Sequence, residues 1–304
     1  MVKFLRNGPA VVVLAFILWG LIPLFYQYLS GGALAEILMY RVFWSIPLLL
    51  PIRLLFRKRT FFRDLPKDKT SFISCMIAGL LMVISWSAFI YALTNHKVLD
   101  ASLGYFINPL IVICLGCIFL KEKPSLFQLI AVISGVCGLG YQIISANSFP
   151  SLALIMGFSF ALYGLARKFI HYDAITSITL ETFWALPVAL FIFIYTGSSI
   201  TTSSDISLFL YILTAPVTVI PLVLFAVALN RTSLIVTGLA QYIEPSLQFL
   251  IAILIFGEVI NYSELFCFSA VWFGLLLCIF ESLYYHYRRN PPRSESNHPA
   301  GTLR

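Results

Sequence analysis

Ten apolar runs alternate with polar connections along this chain, at roughly 9–29, 34–56, 71–93, 99–120, 126–144, 150–166, 176–196, 207–229, 233–256 and 263–283. Most come close to the ~20 residues that carry a helix across ~30 Å of hydrocarbon. In that medium each segment must satisfy its own backbone N–H and C=O groups, so the runs predict helices. The positive residues add a second pattern. With the N-terminus in the cytoplasm, 18 Lys and Arg fall on that face, seven of them between Arg53 and Lys69, and only Lys97 falls on the other. Positive charge sets orientation, so the split predicts ten spans with both termini cytoplasmic. The expected fold class is an all-α integral membrane protein, multi-pass in a bacterial inner membrane and surrounded by lipid.

Composition agrees: 60% hydrophobic and 11% charged residues contrast with the ~25% charge of soluble domains. The net charge of +7 flanks the spans, which argues against nucleic acid as a partner. Lys3 and Arg6 before an apolar run imitate a signal peptide, but 9–29 exceeds a ~7–15-residue signal core and is expected to stay as the first span. Residues 286–304, rich in Pro, Arg and Ser, read as a disordered cytoplasmic tail. The six Cys all fall in apolar runs. Cys114 and Cys117 form a CxxC, read here as small thiols packing between helices rather than a redox pair.

Ten spans divide into two sets of five, and an odd number per set makes the halves enter the membrane in opposite directions. At an offset of 136, Leu103, Ile107, Pro109 and Glu122 meet Leu239, Ile243, Pro245 and Glu258. At 140, Trp44 and Pro47 meet Trp184 and Pro187, and at 144 Gly20 meets Gly164 with Trp19 opposite Tyr163. The matches keep order and nearly constant spacing. Two inverted five-helix repeats, 1–145 and 146–285, are the sequence signature of a secondary carrier, whose halves rock about a midplane site.

Particular motifs are also similar to a known family. ASLGYFINPL at 101–110 with the preceding TNHKVLD, Phe16-x-x-Trp19-Gly20, Tyr40–Arg41, SFALYGLARK at 159–168, ETFW at 181–184 and QYIEPSLQFL at 241–250 resemble segments of the RarD proteins, in the EamA group of the drug/metabolite transporter superfamily. The resemblance spans almost the whole chain. It implies ten helices in two inverted repeats, a central cavity and alternating access.

Charged groups inside spans are costly, about 2.5–3.5 kcal/mol at a helix centre on insertion scales. Arg41 is expected to be the only positive residue within a span, about 12 Å deep. It reads either as a snorkelling or helix-pairing residue, or as a cavity cation whose planar fork takes a carboxylate. Glu181, its mate at offset 140, is expected only about 7.5 Å from the cytoplasmic face, so a direct pair between them is not expected. Glu36, Asp100, Glu122 and Glu258 read as interfacial.

Asn108-Pro109 and Glu244-Pro245 are expected ~15 Å deep on spans four and nine. Proline removes a helix donor, which frees the carbonyls of Tyr105 and Gln241 for a cavity or for a simple packing kink. Buried Trp and Tyr need a partner for their polar end. Trp19, Trp44, Trp86, Tyr163 and Trp184 are therefore candidate cavity residues, of which two or three are expected to line it. Glu244 is also a candidate carrier of a coupling proton.

No phosphate loop, metal pattern or soluble domain is present, so neither ATP hydrolysis nor a cofactor is expected. The reading is a secondary-active or facilitative transporter, an exporter or exchanger of small amphipathic or amino-acid-like metabolites or drugs, working as monomer or homodimer. Its rivals are a membrane lipid- or acyl-transfer enzyme, with Asn95-His96 and Asp100 as its only fragment, and a non-transporting scaffold or sensor.

Overall fold

The structure is a computed structural model that describes residues 7–29, 34–56, 68–94, 98–146, 151–197, 208–257 and 262–289. Helix occupies every apolar run. The first run holds α1 (Gly8–Gly20) and α2 (Ile22–Tyr26), followed by a 3-10 turn at Gln27–Leu29. Next come α3 (Leu34–Phe56), α4 (Lys69–Thr94), α5 (Val98–Phe119), α6 (Leu126–Ala146), α7 (Ser151–Arg167), α8 (Ala174–Tyr195) and α9 (Leu208–Leu229). The ninth run is split into α10 (Leu234–Gln241) and α11 (Ile243–Leu254), and α12 (Tyr262–Arg289) completes the bundle. By length and composition, eight stretches qualify as membrane spans; the apolar stretches Leu103–Phe119 and Ser151–Arg167 are shorter.

The outside of the bundle is apolar. Ile118, Leu126, Ile144, Phe191, Ile194 and Leu276 are all at least 65% exposed, the pattern of helices solvated by hydrocarbon. Cys114 belongs to this outer surface rather than to a helix contact, a correction to the packing expected for the CxxC; none of the six thiols is in a disulfide.

Helix packing follows a regular scheme. α7 packs on α4 and α5, while α9 packs on α1 and the ninth-run helices pack on α1. α8 packs on both α3 and α4, and α9 on α3. Two further pairs join α5 to α10 and α6 to α12. The centre is aromatic: Phe225 contacts Phe16 at 5.7 Å and stacks on Tyr163 at 6.1 Å, with Trp19 edge-on to Phe160 at 6.1 Å. Such pairs add specificity beyond area buried.

Two breaks shape the interior. In the first run the backbone N–H of Leu21 still reaches Ile17, but Pro23 stands at the start of α2 and the two helices part at Leu21. In the ninth run the helix stops at Gln241 and restarts at Ile243, directly before Glu244-Pro245. A ring at Pro245 clashes with the carbonyl four residues earlier, at Gln241, which is where the ladder fails. Pro109 produces no such break, because α5 runs through it. The symmetric kinks expected on spans four and nine are thus realised unequally.

The expectation that Arg41 is the only positive residue within a span is overturned. Arg53 and Arg167 also lie in helices, 6% and 3% exposed. Both sit in the last turn of their helix, where a cation is favoured by the C-terminal dipole, and neighbouring helices cover them. Two acids expected at interfaces have specific partners. Glu36 is buried and accepts a 3.3 Å bond from the Tyr211 hydroxyl. Glu122 accepts the backbone N–H groups of Leu234 and Ile235 at 2.8 and 2.9 Å, capping α10. Lys97, His96, Asn95, Glu258 and the tail from Asn290 lie outside the described residues, as does the side chain of Asp100.

Candidate functional site

A cavity of about 680 Å³ lies inside the bundle, between α1, α3, α4, α5, α7, α9 and α11. It extends to Gln27 and Phe256, exposed residues at one end of the bundle. Six of the residues expected at a site line it: Trp19, Arg41, Trp86, Tyr105, Asn108 and Glu244.

Arg41 is held at the wall by aromatic side chains. Its guanidinium carbon stands 3.4 Å from the centre of the Trp86 ring, and Nη1 donates to the Tyr26 hydroxyl at 3.4 Å. Stacking of a guanidinium on an indole keeps the charge while leaving its N–H fork free in the ring plane. Among the described residues no carboxylate lies within ion-pair distance of Arg41, and its buried Nε has no partner.

Across the cavity, α5 supplies Asn108, whose buried Oδ1 has no partner among the described residues. The restart of the ninth-run helix supplies Glu244, whose Oε1 accepts from Gln248 Nε2 at 3.3 Å. Gln248, one turn after Glu244, also lines the cavity. Its i+4 spacing from Glu244 is a signal the sequence carried and sequence reasoning missed. Thr218 adds a further hydroxyl, 5% exposed, with no partner among the described residues. Its apolar helix gives no sequence signal for it. Phe89 and Tyr105, edge to face at 5.9 Å, complete an aromatic wall.

The other five expected residues do not line this cavity. Trp44 packs edge-on to Phe43 at 5.6 Å, with its indole N–H buried and unpartnered among the described residues. Trp184 packs edge-on to Phe72 at 6.1 Å. Gln241 is 3% exposed, with Oε1 unpartnered among the described residues. Tyr163 and Glu181 belong to a buried polar cluster. There Arg167 Nη1 pairs with Glu181 Oε1, Nη2 donates to Ser177 Oγ at 2.9 Å, and the Tyr163 hydroxyl donates to Glu181 Oε2 at 3.3 Å. The reason is depth: α7 ends at Arg167, so its last turn meets α8 below the cavity floor.

Outside the spans, a second polar knot joins the start of α4 to the α7–α8 connection. Asp68 accepts from the backbone N–H of Ser71 at 3.0 Å and from its hydroxyl at 2.6 Å, and His171 Nδ1 stands 3.4 Å from Asp68 Oδ2. These bonds from Ser71, foremost, hold the Asp68 carboxyl below its ordinary value. Lys168 Nζ donates to the carbonyls of Leu229 and Thr232, and burial lowers its pKa.

An apolar-surfaced helix bundle around a solute-sized cavity, lined mainly by apolar and aromatic side chains with a few polar groups, is the architecture of a multi-pass membrane transporter. Residues 6–141 match the EamA-like transporter family. The chain is 35% identical to Protein RarD of Escherichia coli (strain K12) over 286 residues, covering 93% of this chain and 97% of that protein. It is 34% identical to the uncharacterized transporter YojE of Bacillus subtilis (strain 168), covering 91% and 95%. A solved crystal structure superposes with a TM-score of 0.65 at 13% identity, over 90% of this chain and 98% of that one, which shows a shared fold. This chain therefore belongs to the EamA-like transporter family, as a RarD-like member of the drug/metabolite transporter superfamily.

Proposed function

We propose that this protein moves small, carboxylate-bearing amphipathic metabolites, amino-acid-like compounds or drugs of that character, by alternating access, as an exporter or exchanger. The observation that carries the reading is the Arg41 guanidinium, without an anionic partner among the described residues, at the wall of the ≈ 680 Å³ cavity that Asn108 and Glu244 also line. A planar cation suits a carboxylate, the aromatic walls suit an apolar body, and Glu244 offers an acceptor for an ammonium group or a coupling proton. A relative named chloramphenicol-sensitive protein RarD, from Pseudomonas aeruginosa and 25% identical to this chain, brings phenicol drugs into the test as neutral amphipathic compounds, which carry no carboxylate for Arg41 and would rest on the aromatic walls alone.

Ten spans in two inverted repeats are part of the proposal. Exchanging the halves carries runs one to five onto six to ten. Under that exchange the α7–α4 contact becomes α9–α1, α7–α5 becomes the ninth run on α1, and α9–α3 becomes α4–α8. The α3–α8, α5–α10 and α6–α12 contacts map onto themselves. A pseudo-twofold packing scheme is what rocking about a central site requires. In this reading the cavity faces the outer side and both termini are cytoplasmic.

The test is a thermal-shift screen of purified protein against amino acids, nucleosides and phenicol drugs, followed by flux in proteoliposomes. A ligand selective for the folded state raises its stability. A carboxylate-bearing ligand should stabilise the wild type and lose at least tenfold in affinity in Arg41→Gln and in Asn108→Leu. Equal binding by both variants overturns the site. Glu244→Gln should retain exchange and lose pH dependence; unchanged pH dependence removes only the coupling role.

A further inference from the structure

The Arg167–Glu181 pair lies just beyond a water-sized chamber of about 30 Å³ that adjoins the main cavity. Arg41, Met82, Trp86 and Thr218 border both spaces, and Glu181 borders the chamber. Glu181 thus has a cation on each side. Arg167 and the Tyr163 hydroxyl hold its carboxylate now, and Arg41, which has no anionic partner among the described residues, stands across the chamber.

Glu181 is also fixed to the frame that holds Arg41. A Cβ added at Gly79 of α4 would stand 2.6 Å from the Glu181 carbonyl oxygen, so α4 and α8 cross there at backbone contact. The same α4 carries Trp86, whose ring supports the Arg41 guanidinium. Arg167, by contrast, reaches in from the final turn of α7, two residues before the exposed Phe169. Arg41 and Glu181 are also repeat mates at an offset of 140, on the helices α3 and α8 that pack against each other. Exchanging the halves puts Glu181 on the cavity wall where Arg41 stands.

From this geometry we propose that Glu181 is a partner-switching carboxylate: it pairs with Arg167 while the Arg167 end of the bundle is closed, and with Arg41 once that end opens. The proposal rests on the reading of Arg41 as the substrate's carboxylate ligand. A buried charge cannot be left uncompensated, so opening of the α7 end transfers Glu181 to Arg41. The arriving carboxylate competes with the substrate for one guanidinium and displaces it towards the open side. The Arg167 end is the cytoplasmic one in the orientation proposed above, so Glu181 is a positioning residue for inward release, the return half of an exchange cycle.

Native Cys75 reports on the closed end without any ligand. It is fully buried in the same apolar cluster as Tyr163 and Ile178. In full-length protein with the other five cysteines replaced, N-ethylmaleimide should label Cys75 slowly. Arg167→Gln frees Glu181 to take Arg41 and should speed labelling at least tenfold. Adding Arg41→Gln removes the second partner and should return labelling to within about threefold of the wild-type rate. In Glu181→Gln, Arg41→Gln should change nothing. Fast labelling that persists in Arg167→Gln/Arg41→Gln means simple loosening and overturns the exchange, as does slow labelling in Arg167→Gln. If Arg167→Gln does not fold, Ser177→Ala, which removes one Arg167 bond, should give a smaller increase that Arg41→Gln again abolishes; no increase overturns the proposal. No substrate enters this assay, so its failure is separate from any failure of Arg41 to bind one.

Discussion

Gly238 lies directly against the backbone of Pro109: a Cβ built on it would stand 2.8 Å from the Pro109 carbonyl oxygen and 2.6 Å from Ile113 Cγ1. Here α10 crosses α5 at backbone contact, which fixes the two segments that carry Asn108 and, after the break, Glu244. Gly238→Ala must push them apart, and overpacking of this kind costs about 1–3 kcal/mol. Thermal unfolding in detergent should show that loss, together with reduced transport. An unchanged melting temperature would mean the crossing is looser than described.

Glu122 is expected to act as a second cap on α10, beside the N-cap Ser233, supplied by the connection that follows α5. Lys121 adopts a left-handed φ of 55°, which ends α5 and turns Glu122 towards α10. Its carboxylate then satisfies two of the N–H groups that a helix start leaves open and complements the dipole there. Glu122→Ala should cost about 0.5–2 kcal/mol, the range of cap deletions. Hydrogen exchange at Leu234 and Ile235 should accelerate selectively; protection equal to wild type contradicts the cap.

The Asp68 knot predicts a pH dependence of defined sign. Hydrogen bonds from Ser71 depress the folded pKa of Asp68 below the unfolded value. Its stabilisation is therefore present in full above the ordinary carboxylate range and is lost as pH falls through the depressed value. Melting temperatures of wild type and Asp68→Asn should differ at neutral pH and converge in acid. A constant difference across the titration rules out this linkage.

Topology offers the most direct check of the span count. If the proposed ten spans return the chain to a cytoplasmic starting face, a phosphatase reporter, active only outside the cytoplasm, should be inactive after Arg304 and active near Gly197. The reverse pattern overturns the orientation, and activity at both points overturns the count.

The positions of the helices were legible because hydrocarbon leaves a chain little choice. A run of about 20 apolar residues must close its own hydrogen bonds, and the runs read from sequence coincide with the helices to within a few residues. Arg41, Asn108 and Glu244 were legible for a related reason. A polar or charged residue deep in such a run carries a cost that demands a partner or a cavity. The break before Pro245 was legible from ring geometry, but its absence at Pro109 was not. Both prolines follow a polar residue in an apolar run, yet only Pro245 stands at a helix break, so the ring by itself does not decide where a ladder fails.

The sequence by itself determined the membrane class, the helical segments, the polar residues at mid-depth and, through its motifs, the family. Only the tertiary structure decided which of those residues meet. It brought Trp19, Trp86, Tyr105, Gln248 and Thr218 to the Arg41 cavity and turned Trp44, Trp184 and Gln241 elsewhere. It also buried Arg167, which charge counting had assigned to the flank, and gave it Glu181. The physical reason is that depth along a helix follows from counting residues, whereas the direction a side chain faces is settled by the crossing of helices far apart in the chain. Those crossings depend on close contacts such as Gly238 on Pro109 and Gly79 on Glu181, which no local pattern encodes.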